Sequence, residues 1–276
     1  MLTRIITAIV GFAIIFPVLM FSDTVALNIL IALLSVVSVY EFLNCAGYIK
    51  NKAVSITSFI FALLIPFATR ASSYFEPHIT SSVNACISIV IIYVIVSFAL
   101  SVFSKGKNDI VTSSFVTLFG VYIVCGLSSI IIIRDMNGGG FFYPLIFVAA
   151  WATDIFAYFV GVFFGKHKLI PDVSPKKTIE GAIGGIIGNM GCFALYGALF
   201  LELESAQYIF LIAMAPVASV ISQIGDLLMS LVKRRFSIKD YGKILPGHGG
   251  ILDRFDSTIA VSLFLCITCG TMGLLI

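Results

Sequence analysis

Ser230-Leu-Val-Lys-Arg-Arg-Phe-Ser-Ile-Lys-Asp-Tyr-Gly-Lys-Ile-Leu-Pro-Gly-His-Gly-Gly-Ile-Leu-Asp-Arg-Phe-Asp256 runs between two long apolar segments. It holds 6 of the 17 Lys/Arg residues and 3 of the 14 carboxylates of the 276-residue chain. Basic groups come first, then a Gly/Pro-rich turn with one His, then two carboxylates three apart. A dense polar stretch with an unbroken apolar run on each side reads as a loop between membrane spans. Its order of charges suits phosphates and a divalent metal at a membrane surface.

The rest of the chain agrees with a membrane setting. Hydrophobic residues make up 59% and charged residues 11%, with mean hydropathy +1.09, against about 25% charged in a soluble domain. Backbone in lipid finds no hydrogen-bond partners outside itself, so spans are helices or a closed barrel. The runs here are continuous rather than alternating, which selects helices. Nine spans are expected, at about 3–21, 25–44, 53–69, 83–103, 113–133, 142–164, 179–200, 207–229 and 257–276. The first is too long for a signal-peptide core and lacks a small-x-small cleavage site, so it is kept as a helix. The six cysteines lie in or beside apolar runs and read as small buried hydrophobes.

Basic residues give the orientation. With the N-terminus in the cytoplasm, fifteen Lys/Arg fall on the cytoplasmic side and only Arg70 and Arg134 on the other. The expectation is an all-α, polytopic membrane protein. It forms a single membrane domain over 1–276, with scaffold helices over about 1–140 and site-bearing helices over about 141–276.

Polar signal concentrates in that second half. Asp154 lies inside an apolar span, and an intramembrane carboxylate is a functional candidate by default. In the loop 165–180, Ser174 followed by Pro175 predicts a helix start, with Ser as cap and Pro at the first position. Lys176, Lys177 and Thr178 then occupy a first turn suited to anions, although surface lysines near a membrane read the same way. Glu180 pairs with a lysine or reaches a metal; the sequence leaves both open. Gly181, Gly184, Gly185 and Gly188 form a small-residue helix-packing face. Asp226, Ser230 and Lys233 are spaced i, i+4, i+7 and share one helical face with Gln223.

Gly247, His248, Gly249 and Gly250 make a turn whose backbone can approach an anion. Asp253 and Asp256 follow at i, i+3. Paired carboxylates beside Lys and Arg suit Mg²⁺ on nucleotide phosphates, because that ion keeps waters and substrate oxygens in its octahedron.

The pattern Ser230-x-x-Lys-Arg-x-x-x-x-Lys239-Asp240-x-Gly-x-x-Leu-Pro-x-His248-Gly-Gly-x-x-Asp253-Arg254-x-Asp256 resembles the signature of the phosphatidate cytidylyltransferases, or CDP-diacylglycerol synthases, without departure over its 27 positions. Asp154, the segment 174–181 and Gln223-x-Gly-Asp226 are similar to the same family, so the likeness spans about 150–260. The resemblance implies that CTP and phosphatidate, with Mg²⁺, give CDP-diacylglycerol and pyrophosphate. It also implies a multi-pass protein of the cell (inner) membrane, a cytoplasmic active site and a homodimer. A second, monovalent cation stays open, and no nucleic-acid partner is expected. On that reading Asp226, Asp253 and Asp256 hold metal. Lys233, Arg234, Lys239, Asp240 and Arg254 line the phosphate region with Lys176 and Lys177, and the Gly-His-Gly-Gly backbone lines the triphosphate. A CTP-dependent polyisoprenoid or phytol kinase is the alternative, and a secondary transporter a more distant one.

Overall fold

The structure is a computed structural model that describes residues 17–75, 79–104, 109–245, 247 and 249–272. Its helices are α1 (Val25–Cys45), α2 (Lys52–Phe75), α3 (Ile79–Phe103), α4 (Ile110–Asp135), a single turn α5 (Gly139–Phe142), α6 (Pro144–Phe164), α7 (Ile179–Phe200), α8 (Ser205–Arg235) and α9 (Leu252–Met272). Between α6 and α7 stand two short strands, β1 (Lys168–Ile170) and β2 (Ser174–Thr178). Among the described residues, seven helices are long and apolar enough to cross a membrane. The protein is an all-α polytopic membrane protein. Seven expected spans match these helices, the last, 257–276, overlaps α9 and ends outside the described residues, and the first, 3–21, lies almost wholly outside them.

The chain divides into two compact units. The first takes the residues up to Asp135 and also Ile238–Arg254. Here α1, α2, α3 and α4 pack together. Phe42 stacks on Phe119 with ring centroids 5.4 Å apart, and Leu27, Ile31, Ile123 and Leu127 of the same two helices are buried. The two expected outward-side cations, Arg70 and Arg134, meet at one end of this unit. Arg70 forms a two-pronged ion pair with Asp135 at 2.6 and 2.7 Å and donates to the carbonyls of Ser22 and Thr24. Arg134 donates to Ser22 Oγ at 2.7 Å.

The second unit takes Met136–Ser237 and Phe255–Ile276. Its tightest pair is α6 with α7, and glycines explain the closeness. A Cβ at Gly181 would stand 2.7 Å from the Ala157 carbonyl oxygen, and one at Gly185 would stand 2.9 Å from that of Thr153. One at Gly184 would press on Val160 at 2.5 Å. Side chains clamp α8 to the pair: Thr153 Oγ1 donates to Ser219 Oγ at 2.9 Å, and Asn189 Nδ2 donates to the Ala215 carbonyl at 2.8 Å.

The segment 174–178 corrects a sequence expectation. It is strand, not the first turn of a helix, and it pairs antiparallel with β1 in the register Lys168↔Thr178 and Ile170↔Ser174. A residue before proline is driven to extended backbone, and an N-cap is extended as well. Ser174-Pro175 therefore fits both, and the pairing with β1 decides. The helix cap is Thr178, whose side chain accepts from Gly181 N at 3.1 Å. Lys176 and Lys177 consequently sit on the strand ahead of the helix.

Candidate active site

In the second unit, β2 and the C-terminal half of α8 bring opposite charges together. Lys177 Nζ stands 2.6 Å from Asp226 Oδ2, each side chain 24% exposed. One turn along α8, Ser230 Oγ donates to Asp226 Oδ1 at 3.4 Å. Lys233, another turn on, is buried and interacts electrostatically with both Asp226 and Asp256. The Asp226 and Asp256 carboxylates are close enough to interact with one another directly. Gly225 lets α9 approach α8 so closely: a Cβ there would lie 2.6 Å from Ala260 Cβ and 3.1 Å from the Asp256 carbonyl oxygen. Asp154 on α6 adds a third negative charge within electrostatic reach of Asp256.

Two carboxylates in contact repel unless a proton or a cation stands with them. Two lysines supply part of that compensation. Among the described residues no group of three or more His, Cys, Asp or Glu is arranged to hold a metal ion. The protein therefore offers a two-carboxylate foothold rather than a cage, and that donor set fits Mg²⁺ arriving on phosphate oxygens with its waters.

The remaining candidates are distributed as follows. Arg234 Nε donates to the Val173 carbonyl at 3.3 Å, tying the end of α8 to the turn between β1 and β2. Glu180 takes the third course that its sequence left unlisted: it accepts from the amides of Lys166 and His167 and from His167 Nδ1 at 2.6 Å. Gln223 Nε2 donates to the Ala182 carbonyl, a structural contact. Lys176, Lys239, Asp240 and Arg254 are exposed, and Ser174 is half-buried. His248 lies outside the described residues.

In the first unit, the segment 238–254 folds around two carboxylates. Asp253 Oδ2 accepts from the amides of Tyr241 at 2.8 Å and Gly250 at 3.0 Å. A metal-holding role for Asp253 thus competes with a structural one. Leu245 N donates to the Gly249 carbonyl at 3.0 Å, and Gly247 and Gly249 take φ of 79° and 86°, which side chains with a Cβ rarely adopt. The second carboxylate is Glu41, which accepts from the amides of Ile251 and Leu252. Sequence reading did not single out Glu41. The available signal was a lone carboxylate inside the span 25–44, of the same kind as Asp154.

Comparison with known proteins now adds to the geometry. Residues 2–272 match the Cytidylyltransferase family. The chain belongs to this family. It is 37% identical over 270 residues to the phosphatidate cytidylyltransferase of Bacillus subtilis (strain 168), covering 95% of each chain. It is 33% identical over 262 residues to the enzymes of that name from Staphylococcus saprophyticus and Staphylococcus aureus (strain COL), covering 95% of this chain and 96% of theirs. The second unit holds the Lys177–Asp226–Asp256–Lys233 cluster. The family match also reaches well beyond 150–260, into the helix that carries Glu41.

Proposed function

We propose that this chain transfers the cytidylyl group of CTP to phosphatidate, giving CDP-diacylglycerol and pyrophosphate. The observation that carries the reading is the meeting of Asp226 and Asp256 in the company of Lys177 and Lys233, within a family of cytidylyltransferases. The names of the relatives support phosphatidate as the acceptor.

The chemistry follows from charge. A phosphate monoester has a second pKa of about 6, so the lipid phosphate is mostly dianionic at neutral pH. It needs no general base. An oxygen of that phosphate forms a bond to the α-phosphorus of CTP, the α–β bridging bond breaks, and pyrophosphate leaves with the electron pair. The obstacle is the mutual repulsion of two anions, so the protein contributes positioning and charge neutralisation. Lys177 and Lys233 hold phosphate oxygens. Arg234, one residue on from Lys233, adds a further positive charge. Asp226 and Asp256 would hold Mg²⁺, which when bound supplies positive charge at the phosphates. Asp253 shapes the neighbouring turn.

The excess of Lys/Arg in the loops that bear these residues supports a site on the cytoplasmic side of the cell membrane. A homodimer is part of the same reading, from resemblance.

The decisive experiment separates this reaction from a CTP-dependent kinase. Purified protein receives phosphatidate and CTP labelled at either the α or the γ phosphorus. The α label is expected in the lipid and the γ label in pyrophosphate. Entry of γ label into lipid would overturn the reading in favour of a kinase.

A further inference from the structure

Glu41 is a charged side chain that none of the chemistry above uses. It lies near the end of α1 and is 1% exposed. A carboxylate is buried this deeply only when its oxygens are satisfied. Oε1 accepts from Ile251 N at 3.1 Å and Oε2 from Leu252 N at 2.8 Å. Leu252 opens α9. The first amides of a helix have no partner within it, and its dipole favours negative charge there. A side chain 211 residues away in sequence therefore caps α9.

The turn is built to receive that carboxylate. A Cβ at Gly242 or at Gly250 would strike the Glu41 carboxylate oxygens. Gly250 belongs to the glycine-rich turn whose sequence suits an external anion; here the anion it makes room for is internal. Asp253 takes the amide of Gly250, and Glu41 takes the next two. Three successive backbone amides are thus held by two carboxylates at the start of α9, which carries Asp253 in its first turn and Asp256 one residue beyond it.

We infer that Glu41 is a positioning residue for the cytidylyl transfer: its carboxylate sets the turn 241–252 and thereby the start of α9 with its two aspartates. This rests on the proposed function, but its test has a readout of its own.

Full-length protein in detergent is compared as wild type, Glu41→Gln, Glu41→Asp and Gly250→Ala. Amide hydrogen exchange is followed by mass spectrometry, together with melting and initial rates against CTP. Glu41→Gln places an NH₂ donor against a backbone amide. Exchange should rise in peptides covering 241–252 and stay unchanged in α6 and α7. The kcat of the folded protein should fall about 10–100-fold, the range for residues that orient metal ligands, with KM for CTP changing less. Glu41→Asp keeps the charge and should recover part of both effects. Gly250→Ala should reproduce the exchange change, and the double variant Glu41→Gln with Gly250→Ala should lose less rate than the two single losses combined. Unchanged exchange at 241–252 in Glu41→Gln, additive losses, or a rate loss fully accounted for by unfolded protein would overturn the inference. If Glu41→Gln does not fold, Gly250→Ala with unchanged exchange at 241–252 overturns it alone. Wild-type protein that moves no label from CTP to lipid sinks the proposed function and leaves the exchange result standing.

Discussion

Lys177, on a two-stranded hairpin, and Asp226, about two-thirds of the way along a 31-residue helix, form an ion pair at 2.6 Å. Neither residue is close to the other in sequence, and the pair joins the loop after α6 to the polar stripe of α8. It gives Lys177 two tasks: it balances a carboxylate that faces a second carboxylate, and on the proposed function it holds a phosphate.

Lys177→Met keeps the length of the side chain and removes the charge. Turnover with CTP and phosphatidate should drop about 10²–10³-fold, the loss typical when one preorganised donor at a transferring group is removed. The protein should still melt cooperatively in detergent. Unchanged turnover would remove Lys177 from the site.

Asp226→Asn and Asp256→Asn preserve shape and abolish the charge that a hard cation requires. Each variant should lose turnover at every Mg²⁺ concentration tested while eluting as a folded, monodisperse species. A variant whose activity returns at high Mg²⁺ would have weakened binding only, and one with normal activity would have no part in it.

Arg70 and Asp135 mark the opposite end of the first unit, about 25 Å from Glu41 along α1 at 1.5 Å per residue. Arg70 is 4% exposed, and removing one partner of a buried pair costs about 3–5 kcal/mol. Arg70→Met should lower the melting temperature sharply, and the double variant Arg70→Met with Asp135→Leu should regain much of it. The rate per folded molecule should not change. A double variant as unstable as the single one would show that the carbonyls of Ser22 and Thr24, not Asp135, are what Arg70 serves.

On the charge asymmetry, the loops 165–180 and 230–256 are expected in the cytoplasm and the Arg70 end outside. Asp23 and Ser237 are both exposed. In a cysteine-free background, Asp23→Cys and Ser237→Cys should react with an impermeant thiol reagent from opposite sides of sealed vesicles. Reaction from the same side would break the expected alternation of spans.

The sequence by itself determined the membrane architecture and the chemistry type. Apolar runs and helical spacing are local properties, which is why the span at 179–200 coincides with α7 at both ends. The polar signature at 230–256 is likewise contiguous, and its resemblance to cytidylyltransferases is carried by residue types in order. What only the tertiary structure decided is which groups meet. Ser174-Pro175 favours extended backbone in a strand and at a helix cap alike, so the partner strand at 168–170 settles the matter. Gly242 and Gly250 read as freedom for a turn or room for a ligand, and become the seat of Glu41 only when α1 is packed against the segment. The Lys177–Asp226 pair and the Glu41 cap join residues 49 and 211 apart. Burial of charge is tolerated only with specific partners, and those partners are chosen by helix packing across the chain, which no local pattern records.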